Sequence, residues 1–329
     1  MNWYPWLNAP YRQLIGQYRA GRGHHALLLH ALPGCGDDSL AYAVGRWLLC
    51  QHPDGDKSCG ECHGCRLMIA GNHPDWHPLQ PESGKNALGI EPVRQVIGHL
   101  YNHAQQGGAK VVWLPLAEAL TEAAANALLK TLEEPPSDTY FLLGTREPAN
   151  LLATLRSRCL YLYLSPPDEA NSLRWMQSQQ SVDALTATTA LRLSGGAPVA
   201  ALALMAPDVW NHRQALCTAL ERALPGQQWL SLLPVLNHDN ADQRLSWLCS
   251  LLLDAVKVQQ HAGQAVVNQD QLPLVQQLAS RLSPTTLQQQ LGQWIHCRHQ
   301  LLTIVALNRE LMLTEQLCRW QEADRAPSA

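Results

Sequence analysis

Cys50, Cys59, Cys62 and Cys65 stand in one short stretch, with eight, two and two residues between successive members. Thiolates gathered by short loops at this spacing suit a tetrahedral zinc ion, whose coordination four of them close. Pro53-Asp54-Gly55-Asp56-Lys57, with Gly60 and Gly64, supplies the turn formers that such a knuckle over residues 50–65 needs. A C-x2-C-x2-C run with a remote fourth cysteine also occurs in iron–sulphur proteins, so a four-iron cluster is the rival reading and unliganded thiols the third. His52, His63 and His73 could replace a cysteine as ligands, although each reads more simply as a surface residue. Four thiolates leave no open position for water or substrate, which makes the site structural rather than catalytic.

Upstream, Leu27-Leu28-Leu29-His30-Ala31-Leu32-Pro33-Gly34-Cys35-Gly36-Asp37-Asp38 has the outline of a strand, a glycine turn and a helix start. In a phosphate loop of the G-x-x-x-x-G-K-[ST] type, backbone amides surround the phosphates, the lysine reaches the terminal ones and the hydroxyl binds magnesium. Here Ala31 replaces the first glycine, and Asp37 and Asp38 occupy the lysine and hydroxyl positions, so of the fixed positions only Gly36 remains, with Gly34 as a further glycine of the turn. A carboxylate about 4 Å from a phosphate charge costs roughly 4 kcal/mol at an effective dielectric near 20, where a lysine would gain as much. The loop is degenerate, and by itself it is equally compatible with an ordinary strand-to-helix turn. Cys35 lies in this turn, but the sequence displays no base that would activate its thiol.

A second element fails in the same direction. In a working ATPase the apolar strand Lys110-Val111-Val112-Trp113-Leu114 would end in acidic residues that hold magnesium and orient water. Pro115 and Leu116 stand there instead, and Glu118, three residues too far along, reads as an acid at a helix N-terminus.

The elements that must position these residues follow from periodicity. Apolar runs predict strands at Ala26–His30, Val111–Leu114, Tyr140–Thr145 and Leu160–Leu164. Helical patterns fall between them at Ser39–Cys50, Glu91–Ala104 and Thr121–Leu132, and this alternation is the signature of a parallel sheet flanked by helices. Pro166-Pro167 ends the α/β domain, 1–165, and helical composition continues to the C-terminus. A small helical domain spans 166–207 and an all-α domain 208–329, where Leu245, Leu248, Leu251, Leu252 and Ala255 recur at helical spacing. The 329 residues carry a formal charge of −3 and only five lysines, so no polybasic run drives binding to nucleic acid or anionic lipid. No secretory pattern opens the chain and no apolar run is long enough to span a bilayer, from which a reducing, cytoplasmic setting is expected.

Asn126-Ala127-Leu128-Leu129-Lys130-Thr131-Leu132-Glu133-Glu134-Pro135-Pro136, a strand through Thr145, and then Leu155-Arg156-Ser157-Arg158-Cys159 resemble the clamp-loader branch of the AAA+ ATPases of bacterial DNA replication. The resemblance runs from Gly21-Arg22-Gly23-His24-His25-Ala26 through the cysteine stretch to the last helical domain. It implies an AAA+ core with a zinc knuckle held by Cys50, Cys59, Cys62 and Cys65, a helical lid, and a helical collar through which five subunits form a hetero-pentamer. It further implies that Arg158, flanked by Ser157 and Cys159, reaches ATP bound by a neighbouring subunit. Phosphoryl transfer spreads negative charge over the γ-phosphate oxygens, which a guanidinium delivered in trans can stabilise. Thr145 falls at the sensor position of its strand, and Val199 stands where ATP-binding relatives place a second arginine.

The resemblance thus implies a subunit without bound ATP, partnered by gamma/tau-type ATPases and a delta subunit, that acts on a sliding clamp and primer–template DNA through the assembly. Two other classes stay open from the residues alone: a self-sufficient ATPase with an altered phosphate loop, and an independent zinc-dependent nucleic-acid-binding module. Arg158 could equally be a salt-bridged surface arginine, as could Arg156.

Overall fold

The computed structural model describes residues 2–82, 84–304 and 306–325. They form two compact units that divide between Pro167 and Asp168.

In the first unit, α1 (Asn8–Arg19) precedes β1 (Ala26–Ala31), and α2 (Asp37–Leu48) and α3 (His63–Ile69) follow. Next come β2 (Trp76–Pro78), α4 (Ile90–Leu100), β3 (Lys110–Leu114), α5 (Glu122–Glu133), β4 (Thr139–Thr145), the single turn α6 (Ala153–Arg156) and β5 (Leu160–Leu164). The five strands make one parallel sheet in the order β2-β3-β4-β1-β5. β1 sits between β4 and β5, with Leu28 opposite Leu143 on one side and Tyr161 on the other. Its unalternated Ala-Leu-Leu-Leu run is explained by this position, since a central parallel strand is covered on both faces.

The three-residue β2 has no counterpart in the sequence reading, because so short a segment shows no periodicity. α4 ends at Leu100 rather than Ala104. The buried Lys110 ammonium donates to the carbonyls of Leu100 and Asn102, while the Asp75 carboxylate takes the amides of Gln105 and Gln106, each at 2.9 Å. These side chains divert the backbone from helical pairing. α2 starts at Asp37, two residues before the expected Ser39. The C-terminal ends of β1, β3 and β4 therefore bring the glycine turn, Pro115-Leu116 and Thr145 to one edge of the sheet, where open α/β folds place ligands.

The second unit is helical: α7 (Glu169–Gln179), α8 (Ala184–Leu193), α9 (Pro198–Leu204), α10 (Pro207–Ala223), α11 (Leu233–Leu236), α12 (Ala241–Gln259), α13 (Leu272–Arg281), α14 (Pro284–Thr303) and α15 (Arg309–Arg325). One apolar core runs from Met176 and Leu191 through Leu248 to Trp294 and Trp320. Trp229 stacks on Trp320 with ring centroids 4.0 Å apart, and Trp294 meets Trp320 edge-on. Arg213 of α10 is fully buried, which requires charge and hydrogen-bond partners, and its two Nη atoms find them while Nε has none among the described residues. It donates to both Asp270 oxygens at 2.6 and 2.9 Å and to Asn268 Oδ1, and lies over the Trp210 ring. The same loop is fastened to α8, whose Thr189 hydroxyl accepts from the Asp270 amide and whose Arg192 donates to the Val266 carbonyl. Among the described residues, no helix is long and apolar enough to cross a membrane.

Removing one side of a buried ion pair strands the other. Arg213→Ala should destabilise the second unit by about 3–5 kcal/mol, read as a lowered urea midpoint in tryptophan fluorescence. A loss within about 0.5 kcal/mol, the range of ordinary surface substitutions, would show that the network is dispensable.

Candidate functional site

The glycine turn is closed from within. Gly34 and Gly36 have φ of 85° and 90°, the left-handed region in which glycine carries no Cβ penalty. A Cβ on Gly36 would lie 2.7 Å from Tyr4 Cδ2 and 3.2 Å from Leu7 Cδ1, so the N-terminal segment packs directly on the turn. Trp6 Nε1 donates to the Cys35 carbonyl at 2.7 Å, Ser39 Oγ donates to the Asn2 carbonyl at 2.8 Å, and the Tyr4 and Trp6 rings stack. Burial pushes the Cys35 thiol up to about 11, with Asp37 adding to the effect, which is opposite to what a nucleophile needs.

Asp37, at the lysine position of the pattern, is 2% exposed. Its Oδ2 accepts from Arg146 Nη1 at 2.8 Å, and the same Nη1 donates to the Ala31 carbonyl. Burial raises the Asp37 carboxyl above its ordinary range, an effect that Arg146 opposes and Asp38 reinforces. Asp37 and Asp38 occupy the first turn of α2, where helix amides and dipole favour negative charge. Two carboxylates of the chain thus stand in the first turn of the helix whose N-terminus, in a phosphate loop, would hold a phosphate.

Glu118 departs from the sequence reading. It lies in a single 3-10 turn, Ala117–Ala119, and its Oε1 accepts the Thr145 hydroxyl at 2.5 Å and the amides of Arg146 and Glu147 at 2.7 Å. Burial works upward on this carboxyl, but the Thr145 hydroxyl and the amides outweigh it and hold it below its usual value. Thr145, fully buried, is thereby committed to Glu118. Gly144 beside it could bear no side chain, since a Cβ would stand 2.2 Å from the Pro115 carbonyl oxygen. In the second unit, Val199 occupies the first turn of α9.

The four cysteines do come together: their sulphurs lie within 4.8 Å of one another, and no histidine joins them among the described residues. Cys50 Sγ is 3.6 Å from Cys59 Sγ and 4.0 Å from Cys62 Sγ, and Cys59 and Cys65 are 4.0 Å apart. A zinc ion with bonds of about 2.3 Å at the centre of a tetrahedron keeps its sulphurs about 3.8 Å apart. Thiolates on the separate irons of a cubane must sit farther from one another, so the donor set fits a single ion. The amides of Cys59, Cys62 and Cys65 point at the sulphurs of Cys50, Cys59 and Cys62 at 3.3, 3.3 and 3.4 Å, hydrogen bonds that stabilise thiolate charge. The Cys62 amide in particular holds the Cys59 thiol below its ordinary value. Tyr11 and Arg19 of α1 grip Asp56, fastening the intervening loop to the core. His73, expected at the surface, is 5% exposed: its Nδ1 accepts the Asp75 amide at 3.1 Å and its ring packs beside Gly64, outside the sulphur cluster.

Arg158 follows α6 at the start of β5. Its Nε donates to Glu133 Oε1 at 2.6 Å, its Nη2 pairs with the same oxygen, and its Nη1 donates to the Thr154 carbonyl at 2.6 Å. Ser157 donates to the Thr154 carbonyl, and Cys159 packs into the sheet core, where burial pushes its thiol up to about 12. The sequence reading quoted Glu133 only within a motif, without a role of its own, and did not single out Arg146 or the aromatic cover by Tyr4 and Trp6. No spacing rule links residues so distant in the chain, although the unusual aromatic density of Trp3-Tyr4-Pro5-Trp6 was visible.

Three family models tile the chain. "DNA polymerase III, delta subunit" matches residues 7–168, the AAA+ ATPase lid domain of DNA polymerase III subunit delta' matches 167–205, and "DNA polymerase III, delta subunit, C terminal" matches 207–322. The chain is 63% identical to DNA polymerase III subunit delta' of Yersinia pestis, covering 98% of this chain and 96% of that one. It is 55% identical to the subunit of the same name from Escherichia coli (strain K12), covering 97% and 95%. A more distant similarity, 35% over 156 residues, is to DNA polymerase III subunit tau/gamma of Haemophilus influenzae, covering 47% of this chain and 22% of that one.

The sulphur geometry leads to an expectation of one zinc per chain on elemental analysis, with Cys62→Ser releasing it at lower chelator concentration. Chelation should expose residues 50–65 to protease while the sheet stays folded. Iron with inorganic sulphide, or no metal after purification without chelators, would contradict the single-ion reading.

Proposed function

The chain belongs to the DNA polymerase III subunit delta' family and is a clamp-loader component, and from that premise we propose a subunit that binds no ATP itself and completes a neighbour's ATPase site with Arg158. The observation that carries the first half is the buried Asp37–Arg146 pair. Where a phosphate loop offers a lysine, this chain offers a carboxylate already neutralised by its own arginine. An incoming phosphate would meet Asp37 and Asp38 rather than a cation, and Tyr4 and Leu7 stand over the turn. The residues at the end of β3 and the Thr145 hydroxyl, taken by Glu118, supply neither a magnesium ligand nor a free sensor.

The second half is supported by Arg158, whose side chain is 29% exposed between the short turn α6 and the start of β5. It needs no nucleotide in its own chain to act, because the charge it stabilises develops on a phosphate held next door. The tau/gamma relative makes an ATPase of that type the natural neighbour, with a delta subunit completing a hetero-pentamer that associates through the collar domain, 208–329, while 166–207 forms the lid. Sliding clamp and primer–template DNA are engaged by the assembly. A zinc ion on Cys50, Cys59, Cys62 and Cys65 would staple the knuckle, with no part in the hydrolysis.

Calorimetry with magnesium and ATP should detect no binding to the purified chain; micromolar affinity would overturn the first half and favour a self-sufficient ATPase. In the reconstituted complex, Arg158→Ala should leave assembly intact by size exclusion. At the site it faces, hydrolysis should fall by about 10³-fold, the lower end for a lost arginine finger. Unchanged single-turnover hydrolysis there removes the assignment.

A further inference from the structure

Arginine presents its donors on two edges, one formed by Nε and Nη2 and one by Nη1 and Nη2. In Arg158 the first edge is taken by a single oxygen, Oε1 of Glu133. The Thr154 carbonyl, four residues back, accepts from Nη1, and beyond that Nη1 has only a long 3.5 Å contact to Ser157 Oγ. Among the described residues, nothing else accepts from the guanidinium. The terminal edge, the one that forks onto a phosphate, keeps hydrogens to give.

Glu133 is an odd choice for stability. It is the last residue of α5, and an acid at a helix C-terminus faces the negative end of the dipole. Glu134 beside it worsens the local charge, and an ion pair as exposed as Arg158–Glu133, at 29% and 47%, contributes little to folding. Its place is nevertheless rigidly set. Pro135 and Pro136 forbid continuation of the helix, so Glu133 cannot shift by a turn. The helix behind it is anchored by the Thr121 cap and by buried Leu128 and Leu132.

We propose that Glu133 is a positioning residue for Arg158: from the end of α5 it grips the inner edge of the guanidinium and so aims the outer edge at the phosphate of a neighbouring subunit. This rests on the reading of Arg158 as a group acting in trans. A long side chain freed of such a grip samples several rotamers, and displacement of a catalytic group by about 1 Å can lower a rate 10²-fold. Glu133 thereby contributes to the turnover step rather than to ATP affinity.

The test uses full-length chains in the reconstituted complex, with partner subunits in which only the site facing Arg158 can hydrolyse ATP. Glu133→Ala should lower kcat by about 10- to 100-fold with KM for ATP unchanged. Glu133→Gln, whose amide oxygen can still accept both hydrogen bonds, should retain most of the rate. Combined with Arg158→Ala, Glu133→Ala should add no further loss. Should Glu133→Ala hydrolyse as fast as the wild type, or faster, while Arg158→Ala is impaired, the positioning role is wrong and Glu133 is a bystander or a competitor for the guanidinium. Equal loss in the Gln and Ala variants, or a loss confined to KM, also overturns it. If Arg158→Ala itself hydrolyses normally, the underlying reading fails and this one falls with it.

Discussion

A carboxylate that is 2% exposed cannot stay charged without a partner, and the demand that Asp37 makes on its surroundings organises the ligand edge of the sheet. The partner, Arg146, comes from the residue just after β4 and also donates to the Ala31 carbonyl at the end of β1. To hold that arginine in place its backbone amide is taken by Glu118, which simultaneously takes Thr145 and Glu147. One pair therefore ties the ends of β1 and β4 and the turn after β3 into a closed polar lattice. Its bonds to Glu118 all fall on Oε1, while Glu118 Oε2 is buried with no hydrogen-bond partner among the described residues.

The same helix, α2, links this edge to the cysteine cluster, since its N-terminus carries Asp37 and Cys50 follows two residues after its end. The knuckle has little apolar material of its own; between Gln51 and Leu67 no large apolar side chain is buried, and the buried Leu49, Cys50, Cys65 and Met68 lie at its ends. A closed metal site compensates for a missing core in small insertions. Its loop is attached to α1 by Tyr11 and Arg19, so the insertion braces the two helices that lie next to the glycine turn.

The parallel sheet was readable because β1, β3 and β4 are buried on both faces and therefore spell uninterrupted apolar runs. The cysteine cluster was readable because its ligands are local in sequence, and spacing alone carries the geometry. What could not be read has a common cause. Asp37 and Arg146 are 109 residues apart, Thr145 and Glu118 are 27 apart, and Arg158 and Glu133 are 25 apart. Each pair exists only after the sheet order has brought distant strand ends together. Glu118 looked like a helix-terminal acid because local reasoning sees only its own turn. α4 looked longer than it is because the buried ammonium and carboxylate that divert the chain, Lys110 and Asp75, lie outside its window.

The segment from Asn2 to Leu7 that lies on the glycine turn is joined to it through α1 and β1 of the same unit. A tethered occupant acts at an effective concentration of about millimolar or above, whatever the protein concentration. A free competitor must work against that standing concentration, and its apparent affinity is reduced in proportion to how completely the tether fills the site. The packing of this segment on the turn is therefore set by connectivity, a quantity that does not change with protein concentration.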